Sequence, residues 1–429
     1  MQTTQRLSAL DAGFLALETD VAPLHVGALL VLDGPRPDLD QLRAELVGRT
    51  SRVRQCRQRV LRRAPGLRRP VWVEDADVQP GSQLHVSVLE APGDREALRR
   101  RVVEIMSVRL DTAQPLWRLW VLDGLQDGSW AVLVTAHHTL VDGVSGSGLL
   151  SALLSCDPSA SETASAPEAE TGPARPPLHV SLRRLRQGVR TVAVADLPPS
   201  LLNGPLGPRR TWDWAAVELR DLRAVAKREG CSVNDVYLAA MSAALRSVLA
   251  DLGAFQPATR VRVLVPVSLR RGADDVRGGN LDAAFFVDLP VHLHSVRAML
   301  VDVAGQTARA KADGVPLATG ALLHLGDVVP APLLDQAARA YARRGQARVN
   351  LVASDVRGAT DRLRLCDRAV REIVPCLPLA LDVRVTSALM SYAGGAAISA
   401  TVDSAAGCGA EDVVSAIVAA LDDLVHERE

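Results

Sequence analysis

The chain has 429 residues, in which 49 lysines and arginines balance 49 aspartates and glutamates. This neutral balance, with a pI near 7.1, excludes a broad positive field of the kind that holds nucleic acid. Hydrophobic residues make up 48% of the chain, yet no uninterrupted apolar segment approaches the ~20 residues that a membrane-spanning helix needs.

The first residues and the cysteines indicate the compartment. Acidic side chains interrupt the N-terminus at Asp11, Glu18 and Asp20, which does not fit a secretory signal peptide. The six cysteines stand singly, with no Cys-x-x-Cys pair and no Cys/His cluster at zinc spacing. We therefore expect a cytoplasmic protein with reduced, structural cysteines and no metal site.

The first 110 residues predict an alternation of helices and strands. Ser8 fits the N-cap of a short apolar helix, and residues 24–34 read as a buried strand that ends in a turn. Further on, apolar periodicity predicts helices over residues 39–53 and 94–110, with a strand over 83–89 between them.

A basic stretch over residues 57–69 contains six arginines. Two interpretations stay open. The sequence favours a solvated loop and helix face, and the alternative is a contact for CoA phosphates or anionic lipid.

A strand hairpin carries the most informative residues. Pro115, Leu116 and Trp117 lead into a strand that we expect to pair with residues 129–137 around a turn at Asp127-Gly128. Trp117 itself predicts a buried aromatic side chain at the start of its strand.

Two adjacent histidines, His137 and His138, stand at the end of this hairpin, and Asp142 and Gly143 follow at a short distance. Neighbouring side chains of a strand point to opposite faces, so only one of the two rings can enter a cavity in this way. A neutral imidazole in a partly dry cleft is a natural general base for a hydroxyl group. Asp142 would then orient or brace it.

The form His-His-x-x-x-Asp-Gly resembles the signature shared by chloramphenicol acetyltransferase and the peptide-synthetase condensation domains. The opening Leu-Ser-x-Leu-Asp-x-x-Phe-Leu-x-Leu-Glu, followed by His-Val-Gly-Ala-Leu, resembles the bacterial wax ester synthase/acyl-CoA:diacylglycerol acyltransferase family. The resemblance implies that His138 is the catalytic base, that His137 supports it and that Asp142 is mainly structural. The family also carries a Pro-Leu-Trp or Pro-Leu-Phe element where Pro115, Leu116 and Trp117 stand.

The middle of the chain predicts a linker. Residues 157–177 are rich in Ser, Ala, Glu, Thr and Pro, with few large apolar groups. Residues 178–195 then show a helical apolar stripe flanked by arginines, which fits either ordinary docking of a surface helix or adhesion to a membrane or lipid-body surface.

The C-terminal half supplies further family-like segments. A long apolar helix is expected from Ser232 to about Leu252, and Asn234 and Asp235 at its start match a named family motif that we assign to structural support. Strands are expected over residues 261–267 and 283–290. Arg270 follows the first of them and is our predicted partner for Asp142, because arginine can hold a carboxylate through two parallel hydrogen bonds; a surface arginine is the alternative.

Residues 351–358 match a segment that in the family usually reads Ser-Asn-Val, but here Asp355 follows Ser354. If this side chain lines the acceptor channel, a carboxylate in place of an amide removes hydrogen-bond donors and adds a charge. A strand pair is expected to begin at residues 391–394, and a closing amphipathic helix covers 412–426.

Taken over the chain, the resemblance implies an α/β (α+β) fold of two chloramphenicol acetyltransferase-like domains. Each would be a mixed sheet covered by helices, with the histidines in a channel between the domains. We expect an N-terminal domain over 1–156, a partly flexible linker over 157–200 and a C-terminal domain over 201–429.

The activity that the resemblance implies is ester formation from a fatty acyl-CoA and a fatty alcohol or diacylglycerol. Acyl-CoA would be a co-substrate, with no cofactor, and the lipid acceptor suggests peripheral association with the inner membrane surface or lipid bodies. His138 would take the hydroxyl proton, and a backbone amide near Gly143 would stabilise the oxyanion.

Alternatives remain within and outside this class. The donor could ride on a carrier protein, or the acceptor could be an amine or a natural-product hydroxyl, and a non-catalytic lipid-surface binding protein could retain the same fold. A serine hydrolase is disfavoured because Gly-x-Ser-x-Gly does not occur around the motif. A metal hydrolase is disfavoured because adjacent histidines on a strand diverge.

Overall fold

The computed structural model describes residues 4–51, 53–62, 68–74, 80–140, 150, 154, 196–268, 282–315, 326–334, 336, 340 and 348–426. In chain order its strands are β1 Thr4–Arg6, β2 His25–Leu32, β3 Gln58–Leu61, β4 Val71–Glu74, β5 Leu84–Val88, β6 Trp117–Asp123, β7 Trp130–His137, β8 Arg210–Val217, β9 Val261–Ser268, β10 Asp282–Leu289, β11 Leu351–Arg357, β12 Arg364–Leu365, β13 Arg368–Cys376, β14 Val385–Tyr392 and β15 Gly395–Asp403.

Side chains cap the starts of most of the described helices. They are α1 Ala9–Leu17, α2 Leu39–Thr50, α3 Arg95–Met106, α4 Leu219–Arg228, α5 Val233–Asp251, α6 Val296–Ala312 and α7 Ala410–His426. Ser8 accepts a hydrogen bond from the Asp11 amide, and Asp94 accepts one from the Ala97 amide. Such caps satisfy amides that have no partner within the helix.

The N-terminal sheet takes its described strands in the order β12-β13-β2-β7-β6-β5, and only β5 and β6 are parallel neighbours. A small sheet of β1, β4 and β3 lies apart from it. Strands β12 and β13 come from the C-terminal half of the sequence, so residues 364–376 complete a sheet that the first 140 residues begin. Strand β13 joins this sheet by pairing antiparallel with β2.

The C-terminal sheet takes its described strands in the order β10-β9-β11-β14-β15-β8. Strand β11 is parallel to both of its neighbours. Its pairing with β9 is short, because it is confined to Leu351 with Val263 and Val352 with Leu264.

Three apolar cores hold the layers together. Helices α4 to α7 cover the C-terminal sheet over one core. A second cluster, which we call the shared core, joins residues of the N-terminal sheet to the end of β14, with Leu30, Val134, Met390 and Tyr392 among its members, and Val356 of β11 packs against it. The third core lies where α3 and the tryptophans of β8 contact the other face of the N-terminal sheet.

Most predicted elements are confirmed, including the hairpin of β6 and β7 and the mixed α/β class. The strand pair near the C-terminus begins earlier than expected, at Val385, and residues 391–394 contain its turn. Ala393 and Gly394 adopt positive φ angles of 45° and 89° there, which tight hairpin turns require.

The predicted linker over 157–177 and the arginine-rich segment over 178–195 lie outside the described residues, so the domain boundaries stay a prediction. Within the described part of the chain, no helix combines the length and apolarity needed to cross a membrane.

Candidate active site

The end of β7 separates the two histidines. Val132, Val134 and Ala136 face the shared core, and His138 continues this alternate series, whereas His137 falls on the opposite face. His137 is fully buried, and His138 is partly exposed. The strand end therefore buries the His137 imidazole completely and leaves the His138 imidazole partly exposed.

Hydrogen bonds determine the tautomer of His137. Its Nδ1 accepts a hydrogen bond from the Thr139 amide at 3.1 Å and lies 2.8 Å from the Thr139 hydroxyl. A ring nitrogen that accepts from an amide carries no proton, so the proton of the neutral ring sits on Nε2. This nitrogen lies 3.5 Å from Oε1 of Glu18, which is longer than an ordinary hydrogen bond.

Glu18 is a fully buried carboxylate surrounded by donors. Oε1 accepts from the Leu24 amide at 3.1 Å, and Oε2 accepts from Nε and Nη2 of Arg109 at 3.1 and 3.0 Å. Burial raises the pKa of this carboxyl, but the adjacent His137 ring and the donors at Leu24 and Arg109 lower it by more, so that the pKa is about 2. Glu18 is therefore ionised at neutral pH.

The same contacts position His138. The carbonyl of Leu24 accepts a hydrogen bond from the His138 amide at 2.9 Å, while the amide of Leu24 is held by Glu18. The His138 ring stacks on Phe14 of α1, with centroids 4.3 Å apart and an interplanar angle of 17°. We call Glu18, Leu24, Arg109 and His137 the Glu18 network. This network holds the backbone of His138 through Leu24, and Phe14 holds the His138 ring by stacking on it.

His25 lies directly opposite His137 in the pairing of β2 with β7 and is 1% exposed. Burial, and then the neighbouring His137 ring and the charges of Arg118 and Arg210, lower the pKa of His25 to about 4, although Glu18 acts in the other direction. His25 is therefore neutral at pH 7. Its Nδ1 has no hydrogen-bond partner among the described residues.

The Pro-Leu-Trp element supports the strand end. The carbonyl of Leu116 accepts from the His137 amide at 2.9 Å, and Nε1 of Trp117 donates to the carbonyl of Cys56 at 3.0 Å. Pro115 is buried beside them. The prediction of a buried aromatic side chain at the start of β6 is confirmed.

The Asn-Asp pair begins α5 on the C-terminal sheet. Asp235 forms a capping box with Ser232 and also accepts a hydrogen bond from the Thr307 hydroxyl at 2.7 Å. Asn234 lies beside it, and Ser354 and Asp355 lie on β11 of the same sheet. Asp142, Gly143 and Arg270 lie outside the described residues, so the Asp142–Arg270 pair and the oxyanion site stay predictions.

The basic stretch over 57–69 is partly internal, which neither predicted interpretation foresaw. Arg57 pairs with Glu74 at 2.9 Å. The side chain of Arg69 is 2% exposed, pairs with Asp327 at 3.1 Å and donates to the carbonyls of Gly326 and Val329. Both arginines join segments of the fold, and Arg69 has several partners because a buried guanidinium needs acceptors for its donors.

Sequence reasoning missed Phe14, Glu18, His25 and Arg109 as parts of the site. Phe14 and Glu18 stand in the opening motif and His25 follows it, so the resemblance carried their signal without a role for them. Arg109 had no signal, because it meets Glu18 across 91 residues of sequence.

Comparison with known proteins agrees with this architecture. The model of the wax ester synthase/diacylglycerol acyltransferase catalytic domain matches residues 7–196 and 174–237, and that of the WS/DGAT C-terminal domain matches residues 278–425. A probable diacylglycerol O-acyltransferase of Mycobacterium tuberculosis, tgs1, is 31% identical over 410 residues, which cover 90% of this chain and 88% of that protein.

Solved structures share the fold. The wax ester synthase/diacylglycerol acyltransferase from Marinobacter aquaeolei VT8 superposes with a TM-score of 0.69 at 24% identity, covering 98% of both chains. The first condensation domain of the calcium-dependent antibiotic synthetase superposes with a TM-score of 0.64 at 15% identity, covering 99% of this chain and 96% of that one. The expected two-domain, chloramphenicol acetyltransferase-like fold is confirmed, and the chain belongs to the wax ester synthase/diacylglycerol acyltransferase family.

Proposed function

We propose that this protein transfers a fatty acyl group from acyl-CoA to the hydroxyl of a fatty alcohol or diacylglycerol, with His138 as the general base. The observation that carries the proposal is the placement of His138. It is the histidine that stays partly exposed, and its ring and backbone are both held by neighbours, through Phe14 and Leu24. A base must be accessible and preoriented to remove a proton in the transition state.

In this mechanism His138 removes the proton from the acceptor hydroxyl as its oxygen attacks the thioester carbonyl. The tetrahedral oxyanion collapses, the carbon–sulfur bond breaks, and CoA leaves as a thiolate that takes the proton back from His138. Asp142 would orient the motif through Arg270, and the amide near Gly143 would stabilise the oxyanion. His137 acts as support, because its Nε2 faces Glu18 inside the protein.

The reaction needs acyl-CoA as co-substrate, a hydroxyl-bearing lipid as acceptor and no resident cofactor. We propose that both substrates reach His138 in a channel between domains spanning residues 1–156 and 201–429, joined by residues 157–200. A lipid acceptor further suggests peripheral association with the inner membrane surface, for which residues 178–195 supply an amphipathic, arginine-rich sequence.

Product analysis tests the proposal. The purified protein is incubated with one acyl-CoA and a panel of alcohols and glycerides, and esters are identified by mass spectrometry. His138→Ala is expected to lower the transfer rate by about 10²–10⁴-fold, the range that general-base catalysis contributes. His294→Ala removes an exposed histidine of the C-terminal half and is the matched control, expected to retain full activity.

Three results would contradict the proposal. Transfer only from an acyl-carrier protein would move the activity to a carrier-dependent donor. Transfer that survives in His138→Ala would remove this residue as the base. Lipid binding without any turnover in the parent protein would favour a binding protein that retains the fold.

A further inference from the structure

A gap in the C-terminal sheet lies beside polar groups that have no hydrogen-bond partner among the described residues. Residues Leu351 and Val352 of β11 make the only described pairing with β9. Strand β11 nevertheless continues to Arg357, and β9 continues to Ser268. No described backbone group bridges the two strands beyond this point. We call this gap between the C-terminal parts of β9 and β11 the slot.

Asp355 lies on β11 at the edge of the slot. Its carboxyl is half-buried, and no described residue donates a hydrogen bond to it or forms an ion pair with it. Burial raises the pKa of Asp355, while the charge of Arg357 on the same strand lowers it. A hydroxyl that donates to this half-buried carboxyl would replace hydration that burial has weakened.

A second unsatisfied group lies on the helix that covers this sheet. Oδ1 of Asn234 is buried and has no hydrogen-bond partner among the described residues. Asn234 precedes Tyr237 by three residues and so shares its face of α5. The Tyr237 hydroxyl donates to Ser387 of β14 at 2.6 Å, and burial and the charge of Asp355 both raise the pKa of Tyr237.

The direction of α5 places Asn234 toward Asp355. Leu252, at the C-terminal end of α5, contacts Gly407, which follows β15 near the start of β14. Tyr237 reaches Ser387, further along β14. Helix α5 therefore begins near the C-terminal ends of the parallel strands β11 and β14 and ends near their N-terminal ends. Asn234, one turn before Tyr237 on α5, is accordingly nearer to the C-terminal end of β11.

The slot lies next to the core that His138 borders. Val356 and Ala359, at and just after the end of β11, pack against the shared core, of which Tyr392 of β14 is a member. His138 extends the row of β7 side chains that face this core from the N-terminal sheet. Asp355 precedes Val356 by one residue and points to the other face of the sheet, on which Leu351 and Ala353 meet the core beneath the helices. An acceptor whose reacting hydroxyl is at His138 would therefore reach Asp355 by passing through the slot.

We propose that Asp355 and Asn234 form a subsite that binds a second hydroxyl of the acyl acceptor. The protein would then prefer acceptors that carry a free hydroxyl besides the one acylated, such as a monoacylglycerol, over monohydric fatty alcohols. This inference rests on the proposed function. The reacting hydroxyl gives its proton to His138, so it cannot also satisfy the carboxyl and amide oxygens of the subsite. A diacylglycerol has no second hydroxyl and is expected to bind more weakly than a monoacylglycerol.

Binding without an acyl donor tests the subsite directly. Equilibrium binding of 1-monopalmitoylglycerol and of hexadecanol is measured calorimetrically for the full-length protein and its variants. Asp355→Leu is expected to weaken monopalmitoylglycerol binding about 5- to 10-fold, the effect of one lost hydrogen bond, and to change hexadecanol binding less than about twofold. Asp355→Asn keeps an acceptor oxygen and is expected to stay within about threefold of the parent for both ligands.

Asp288→Asn is the matched control. It removes a carboxylate from β10 of the same sheet, where Asp288 is exposed and paired with Arg262, and it should change neither affinity. Equal losses for both ligands in Asp355→Leu, or no loss for either, would overturn the subsite. Tighter binding of hexadecylamine than of monopalmitoylglycerol would overturn it in favour of an amine acceptor.

The transfer reaction separates this inference from the proposed function. If the parent protein transfers acyl groups to both acceptors in a ratio that Asp355→Leu leaves unchanged, the subsite is wrong and the activity stands. If the parent transfers to neither acceptor while the binding preference depends on Asp355, the activity is wrong and the subsite stands.

Discussion

Two carboxyl groups, the fully buried Glu18 and the half-buried Asp355, have opposite surroundings among the described residues. Glu18 receives hydrogen bonds from Leu24 and Arg109, and its pKa falls to about 2. Asp355 receives none from the described residues, and burial raises its pKa. The comparison teaches that a buried charge with partners belongs to the scaffold, whereas a polar group without partners is available to a ligand.

We expect the largest loss of stability when Glu18, the carboxyl with partners, is replaced. Glu18→Gln keeps the size of the side chain but places an amide NH₂ against donors at Leu24 or Arg109. We expect the free energy of unfolding at pH 7, measured by urea denaturation, to fall by about 3 kcal/mol. Asp20→Asn is the control, since Asp20 pairs with the same Arg109 but its side chain is 92% exposed, and a loss below ~0.5 kcal/mol is expected. Equal losses of unfolding free energy in Glu18→Gln and Asp20→Asn would show that burial with partners does not make Glu18 more important for stability than the exposed Asp20.

We expect acidification to lower the stability of the protein through His25, which lies opposite His137 of the Glu18 network. Its pKa is about 4 in the folded protein against 6.5 for the ordinary side chain, so the unfolded chain binds the proton first as the pH falls. Stability contributed by the neutral ring is therefore present above pH 6.5 and lost as the pH falls toward 4. Between pH 7 and pH 5 we expect a loss of about 2 kcal/mol.

Urea denaturation at both pH values measures this loss. His25→Asn should flatten the pH dependence in this window, whereas the exposed His294→Asn should leave it unchanged. A wild-type stability that stays constant between pH 7 and pH 5 would contradict the buried, neutral state of His25.

The smallest expected effect concerns Asp355 itself. Asp355→Leu removes a polar group from a half-buried position and breaks no hydrogen bond or ion pair to the described residues. The free energy of unfolding should change by less than ~0.5 kcal/mol or rise slightly. A large loss of stability would show that Asp355, like Glu18, stabilises the fold.

Much of the local structure could be predicted. Ser8, Asp94 and Ser232 marked the starts of helices, and alternation along β7 predicted that His137 and His138 diverge. These features depend on residues a few positions apart, which is why a sequence pattern carries them. The start of β14 at Val385 was missed, because its apolar run VTSALM has no alternation.

The sequence by itself determined the order of elements, the histidine pair and the family, because each depends on short segments whose side chains act locally. Only the tertiary structure decided that β13 completes the N-terminal sheet and that Arg109 pairs with Glu18 next to His137. It also decided that the Asp355 carboxyl, beside the slot, has no hydrogen-bond or ion-pair partner in the described part of the chain. The reason is physical: burial and partners arise where distant segments meet, and no local pattern records which segments those will be.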